Sequence, residues 1–310
     1  MQSQNSRELT PEQKWKQATL ANNFIFYKVM RHHPAECKEM LELLLGIKVD
    51  RIEMSNEETI DVDFTSKGIR LDLYVSDSDR VFDIEIQATD TGELPQRARY
   101  YQGIMDVDTL ATGQTYDSLK ESHVIFLCME DPFKQLRKGL PVYTFENLCR
   151  EDTTVPLGDR TYKHFFIAPN CATMLKDADQ KAFFGLLAEN KTGSLLTDRL
   201  KGLVEAAKQN SQWRMQFMTW EQSIKEEAQI RAKDIAIDMA QDMAQDMAEK
   251  LAQDMAQDMA QDMAQDMAKE TILATARRIL ATGKLSAQEV ADSFQLPLAE
   301  IQALNATVSA

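Results

Sequence analysis

Asp72 and Glu85 are spaced to face each other across a short β-hairpin as a candidate divalent-metal site, and Gln87 follows two residues later. Residues 68–75 and 80–87 each alternate apolar and polar side chains, the period-two signature of half-buried strands. The linker Ser76-Asp-Ser-Asp79 between them leaves room only for a tight turn. One register sets Leu71 opposite Ile86, Leu73 opposite Ile84 and Val75 opposite Phe82 on a common face, and so sets Asp72 opposite Glu85. Side chains paired in this way have Cβ atoms roughly 4.5–5.5 Å apart, where like charges repel. A well-solvated strand face relieves that repulsion; so does a cation held between the carboxylates. Glu85-Ile86-Gln87 offers a carboxylate, a backbone carbonyl and a neutral polar group at one strand end, and Asp83 adds a carboxylate to the face of Glu85. Oxygen-only ligation of this kind suits Mg²⁺, and phosphodiester hydrolysis is the chemistry such an ion assists.

Further segments accompany these residues. Asp72 followed by Glu85-x-Gln87 resembles the D…(D/E)-x-K signature of the PD-(D/E)XK nucleases, in the variant with Gln in place of Lys. Asn23-Phe-Ile-Phe26, Met40-Leu-Glu-Leu-Leu-Leu-Gly46, Gln96-Arg-Ala-Arg-Tyr-Tyr101, Gly113-Gln-Thr-Tyr116 and the apolar run at 123–128 resemble, in that order, the recombination-promoting nucleases, also described as PD-(D/E)XK nuclease family transposases. The resemblance spans about residues 18–170. It implies an α/β, restriction-endonuclease-like mixed sheet flanked by helices. It also implies a Mg²⁺-dependent DNA endonuclease associated with DNA breakage and recombination, and low sequence specificity is expected of it. Carried onto this chain, Asp72 and Glu85 hold the metal with the Ile86 carbonyl, and Gln87 stands where a Lys positions the attacking water. Gln brings a hydrogen bond without a charge, which weakens electrostatic stabilisation and shifts weight to Arg97 or Arg99. Arg97, Arg99 and Tyr100 are the expected substrate contacts, Tyr100 by stacking on a base. The alternative is a nuclease fold without the chemistry, acting as an oligomeric partner-binding module.

Composition bounds these expectations. The chain has 310 residues, 44% of them hydrophobic, enough for a sizeable core with appendages. It has no apolar run of about 18 residues and no apolar leader at its start. Its four cysteines (Cys37, Cys128, Cys149, Cys171) are scattered without a C-x-x-C pair, so they read as reduced thiols. A cytoplasmic protein is expected. The formal charge is −14, from 49 acidic and 35 basic residues, whereas DNA-binding proteins usually carry a basic footprint. Residues 233–270 hold ten acidic and three basic side chains, a net of −7, and account for half of the total. Few phosphates can be neutralised, so DNA engagement is expected to be weak and non-specific.

The elements that must position the site follow from spacing and punctuation. Residues 1–19 form a polar lead-in with a helix start at Thr10-Pro11, and residues 20–190 the nuclease-like domain. Two helices within 20–45 break at His33-Pro34 and end at Gly46. A strand is expected over 47–54, a helix over 95–112, a doubly buried strand over 123–129 and another strand over 161–168. Helices dominate from about residue 177. Residues 191–232 read as a helical extension in which Trp213, Phe217, Met218 and Trp220 make a packed seam.

Residues 233–270 repeat Asp-Met-Ala-Gln. Apolar side chains fall at Ile235, Met239, Met243, Met247, Leu251, Met255, Met259, Met263 and Met267, every fourth position. With no Gly or Pro, a helix of about 50 Å is expected. A four-residue period drifts by about 40° per repeat, which limits a long two-stranded coiled coil, and Asp residues at i, i+4 repel one another. A spacer enlarged by repeat slippage, a self-association helix giving a homo-oligomer, and an acidic metal-collecting rod remain open. Residues 271–310 read as a small three-helix cap, like a minimal helix-turn-helix, with a Ser286/Glu289 capping box and a turn at Gly283.

Overall fold

The computed structural model describes residues 9–54 and 73–308. The chain divides into two compact units, Met1–Ser223 and Ile224–Ala310. Among the described residues, no helix is long and apolar enough to cross a membrane.

Local signals set the elements of the first unit. Helix α1 (Pro11–Gln17) opens with Pro at its start and a reciprocal Thr10/Gln13 capping box. Its Trp15 is 3% exposed, so the lead-in is not merely polar: it plugs the core. Helix α2 (Asn23–His32) is capped by Asn22, whose side chain accepts from the Ile25 amide. Helix α3 (Pro34–Leu45) begins at the proline that stops α2 and ends at Gly46, whose φ of 66° a side chain would resist. The His32-His33 pair sits at this junction, with the His32 ring 4.7 Å from that of Trp213.

Among the described residues a six-stranded mixed sheet follows, in the order β1-β2-β3-β4-β6-β5. Its strands are β1 (Glu53–Met54), β2 (Tyr74–Ser76), β3 (Arg80–Gln87), β4 (Glu121–Cys128), β5 (Val142–Phe145) and β6 (Thr161–Ile167). β3, β4 and β6 run parallel, while β1, β2 and β5 pair antiparallel. β4 lies between β3 and β6 and is buried from Ser122 to Cys128, as its unbroken apolar run requires. The strand expected over 47–54 is only two residues long.

Each sheet face has its own helices. On one face Phe82, Ile84, Ile86, Ile125, Leu127 and Phe166 pack with α2, α3, α6 (Ala178–Glu189) and α7 (Leu195–Gln209). On the other, Val81, Val124, Phe126, Cys128 and Phe165 pack under Leu94, Ala98, Tyr101 and Met105 of α4 (Leu94–Thr109). The expectation of half-buried strands is therefore corrected: β3 is buried on both faces from Val81 onward. Helix α5 (Ala168–Met174) follows β6 directly. The aromatic seam forms as expected, with Phe217 fully buried and its ring 5.2 Å from Trp15 and 5.5 Å from Phe24.

Phe217 belongs to α8 (Ser211–Ala281), one unbroken helix that contains the whole Asp-Met-Ala-Gln repeat. In the second unit the repeat's methionines are exposed, Met247 the most at 71%. The unit's core lies at the end of α8, where Ala276 and Leu280 pack against Val290, Ala291 and Ile301 of α9 (Ala287–Phe294) and α10 (Leu298–Val308). Ser286 and Glu289 form the expected capping box on α9, and Gly283 takes a φ of 64° at the turn.

Candidate functional site

The odd-numbered side chains of β3 point beneath α4. Asp83 is 0% exposed, Glu85 3% and Gln87 9%, although their neighbours on β4 are Val124, Phe126 and Cys128. A carboxylate in such surroundings demands a charge partner or a hydrogen-bonding cradle. Arg97, the fourth residue of α4, reaches the row. Its Nη2 donates to Glu85 Oε2 at 2.8 Å, and its Nη1 donates to Gln87 Oε1 at 2.9 Å. Nη2 and Nε also donate to the Tyr101 hydroxyl at 3.0 and 3.3 Å. The guanidinium lies 5.4 Å from the Tyr101 ring centre and 5.7 Å from that of Phe126. Gln87 Nε2 donates to the Thr89 carbonyl, so both ends of its amide are held.

Tyr101 is kept a neutral phenol. Burial pushes its pKa above the ordinary tyrosine value and the Glu85 charge adds to that, against the opposing pull of Arg97. It was not among the expected site residues. Its i, i+4 spacing from Arg97 was the available signal.

The hairpin register bears out the expected pairing where it is described. Val75 faces Phe82, Tyr74 faces Asp83, and the Ile84 amide donates to the Leu73 carbonyl. Leu71 and Asp72 lie outside the described residues. Backbone parity also bears on Ile86. Gln87 accepts from the Met129 amide on the β4 side, whereas Ile84 bonds toward β2, so Ile86 directs its carbonyl away from β4. Arg97 turns inward onto the acidic row, while Arg99 and Tyr100 lie on the exposed side of α4. Among the described residues, no three His, Cys, Asp or Glu side chains converge as a metal cage.

On the opposite sheet face lies a second polar constellation that the sequence reading did not anticipate. His123 Nε2 is 3.0 Å from Glu121 Oε1, His123 Nδ1 is 3.1 Å from His164 Nε2, and His164 Nδ1 is 3.1 Å from Thr144 Oγ1. A carboxylate only accepts, so the protons follow in one direction: Thr144 donates to His164, His164 to His123, and His123 to Glu121. The two imidazoles are 6% and 9% exposed. Burial lowers the pKa of His123, with Glu121 opposing, and burial together with His123 pushes His164 down to about 3.

Residues 38–165 match the family model described as PD-(D/E)XK nuclease family transposase. The resemblance read from the motifs is borne out over this span, which runs from α3 through most of β6 and holds the other five strands of the sheet. The fold agrees with it: a mixed α/β sheet flanked by helices. No curated protein and no solved structure matches the chain. The family points to a nuclease- or transposase-like role with DNA as the partner, and PD-(D/E)XK nucleases typically use divalent metals.

Proposed function

We propose that this protein is a divalent-metal-dependent DNA endonuclease, using Mg²⁺, with little sequence preference and a role in recombination, acting in the cytoplasm. The observation that carries the reading is the carboxylate of Glu85, buried under α4 within the family-matched span, with Gln87 two residues on. The donor set suits a hard cation: the carboxylates of Asp72 and Glu85 and the Ile86 carbonyl are all oxygens. Such an ion, when bound, supplies Lewis-acid polarisation of the phosphoryl oxygen. The chain's own groups do the remaining work. Gln87, its amide fixed between Arg97 and Thr89, orients water or substrate by hydrogen bonding. Leu94, Ala98 and Tyr101 keep bulk water from the buried part of the row, which strengthens every charge interaction there. Arg99 and Tyr100, exposed on α4, are the proposed contacts to the nucleic-acid backbone and to a base.

The test is nicking of supercoiled plasmid by the full chain with Mg²⁺ and with EDTA, repeated for Asp72→Ala and Glu85→Ala. Loss of cleavage in EDTA and in both folded variants supports the assignment. Cleavage at the wild-type rate in both variants removes these residues from the chemistry. The second reading, a nuclease fold acting as an oligomeric binding module, draws on the exposed methionine row of α8. A monomer by light scattering on the full chain would dismiss it.

A further inference from the structure

Glu85 Oε2 is the atom on which two roles collide. It is the oxygen that Arg97 Nη2 contacts at 2.8 Å, and it belongs to the carboxylate assigned to the metal. A guanidinium and a divalent ion crowded onto one carboxylate repel each other strongly in a poorly hydrated setting, where charges are weakly screened. The two compete for Glu85 Oε2, and the surroundings favour withdrawal by Arg97. Its side chain is 29% exposed, against 4% for that of Glu85. Its contacts to Gln87 Oε1 and the Tyr101 hydroxyl, and its position over the Tyr101 ring, do not depend on Glu85. Leaving Glu85 therefore does not strand the guanidinium. Glu85, in contrast, cannot be left buried without a cation.

Resting on the metal-dependent reading above, we propose that Arg97 is the resident counter-ion of Glu85 and is displaced from it by the divalent cation, so that metal occupancy and the Arg97–Glu85 pair exclude one another. Arg97 then does two things. It keeps the metal-free protein folded around a buried acid, and it holds the site silent by occupying the ligand until the cation concentration is high enough to displace it. Displacement retains Arg97 beside Gln87, restoring a positive charge next to a residue that carries none.

The experiment is a titration of full chain with Mn²⁺ alone, following the free-ion EPR signal, for wild type, Arg97→Gln, Glu85→Gln and the double variant. Removing a competitor that is thermodynamically coupled to the ion tightens binding, here by about tenfold. Arg97→Gln is expected to bind Mn²⁺ more tightly than wild type, and the gain is expected to vanish when Glu85→Gln is added. Binding by Arg97→Gln where wild type shows none also supports the proposal. Binding that depends on Glu85 but is equal or weaker in Arg97→Gln overturns it, as does absence of binding in both proteins. Binding indifferent to Glu85→Gln, with plasmid cleavage equally indifferent, is instead the failure of the metal assignment itself. Should Arg97→Gln not fold without metal, Arg97→Lys carries the test, because Lys keeps the charge but loses the forked contact. A larger Mn²⁺-induced rise in melting temperature for Arg97→Lys than for wild type supports displacement, and an equal or smaller rise overturns it.

Discussion

Substituting His164 by Gln turns the buried imidazole pair into a measurable pH dependence. His164 is 9% exposed and its pKa is pushed down to about 3, whereas an unfolded chain leaves it near the ordinary histidine value of 6.5. The folded state thus keeps the ring neutral while the unfolded state binds a proton as pH falls below about 6.5. Stability from this residue is intact above that value and drains away between pH 6.5 and 3. At about 1.36 kcal/mol per pH unit, the loss reaches about 2 kcal/mol at pH 5. Glu121 favours a charged His123 and so moderates that residue's share, leaving His164 as the steeper contributor. Gln retains an amide donor toward His123 but does not titrate, so its intrinsic cost is constant with pH. Urea unfolding followed by tryptophan fluorescence reads the first unit alone, because Trp15, Trp213 and Trp220 are the chain's three tryptophans. Between pH 7 and pH 5, wild type is expected to lose about 2 kcal/mol more than His164→Gln. Parallel losses in the two proteins would refute the buried neutral pair.

Two other perturbations report on packing and capping. Phe217→Ala opens a cavity where α8 meets Trp15 and Phe24, and is expected to cost about 3–5 kcal/mol in the same fluorescence-detected unfolding. Ser286→Ala removes the acceptor for the Glu289 amide at the start of α9. It is expected to lower the stability of the C-terminal unit by about 1 kcal/mol, read by hydrogen exchange on α9 amides, with no change in tryptophan fluorescence.

The parts of the fold that were legible in the sequence rest on short-range rules. Alternation and a tight turn dictated the β2–β3 register, because a one-residue slip would exchange the apolar and polar faces. Pro34 and Gly46 marked the ends of helices for reasons of φ alone, and the Ser286/Glu289 box was visible as a spacing. What escaped the reading was long-range. Alternation says which residues share a face and nothing about what covers it, so the acidic row of β3 read as solvent-facing until α4 was placed over it. The inward aim of Arg97 depends on the same docking. β5 is four residues at a sheet edge, too short for a periodic signal. His123 and His164 lie 41 residues apart and meet only because β4 and β6 pair in parallel.

One strand ties the stability of this protein to its proposed chemistry. The even residues of β3, Phe82, Ile84 and Ile86, enter the larger core, while the odd ones, Asp83, Glu85 and Gln87, lie beneath α4. A register slip would drive three polar side chains among α2, α3 and α6, at a desolvation cost of several kcal/mol for each buried charge. The apolar half of the strand therefore enforces the position of the acidic half. The acidic half contributes nothing to that core, and its Glu85 is paired with Arg97, an ion pair whose desolvation offsets much of its attraction. Apolar residues in place of both Glu85 and Arg97 would suit the packing under α4 at least as well. A buried carboxylate that folding does not need, aligned by a strand that folding does need, is the arrangement expected where an acid is retained for what it binds.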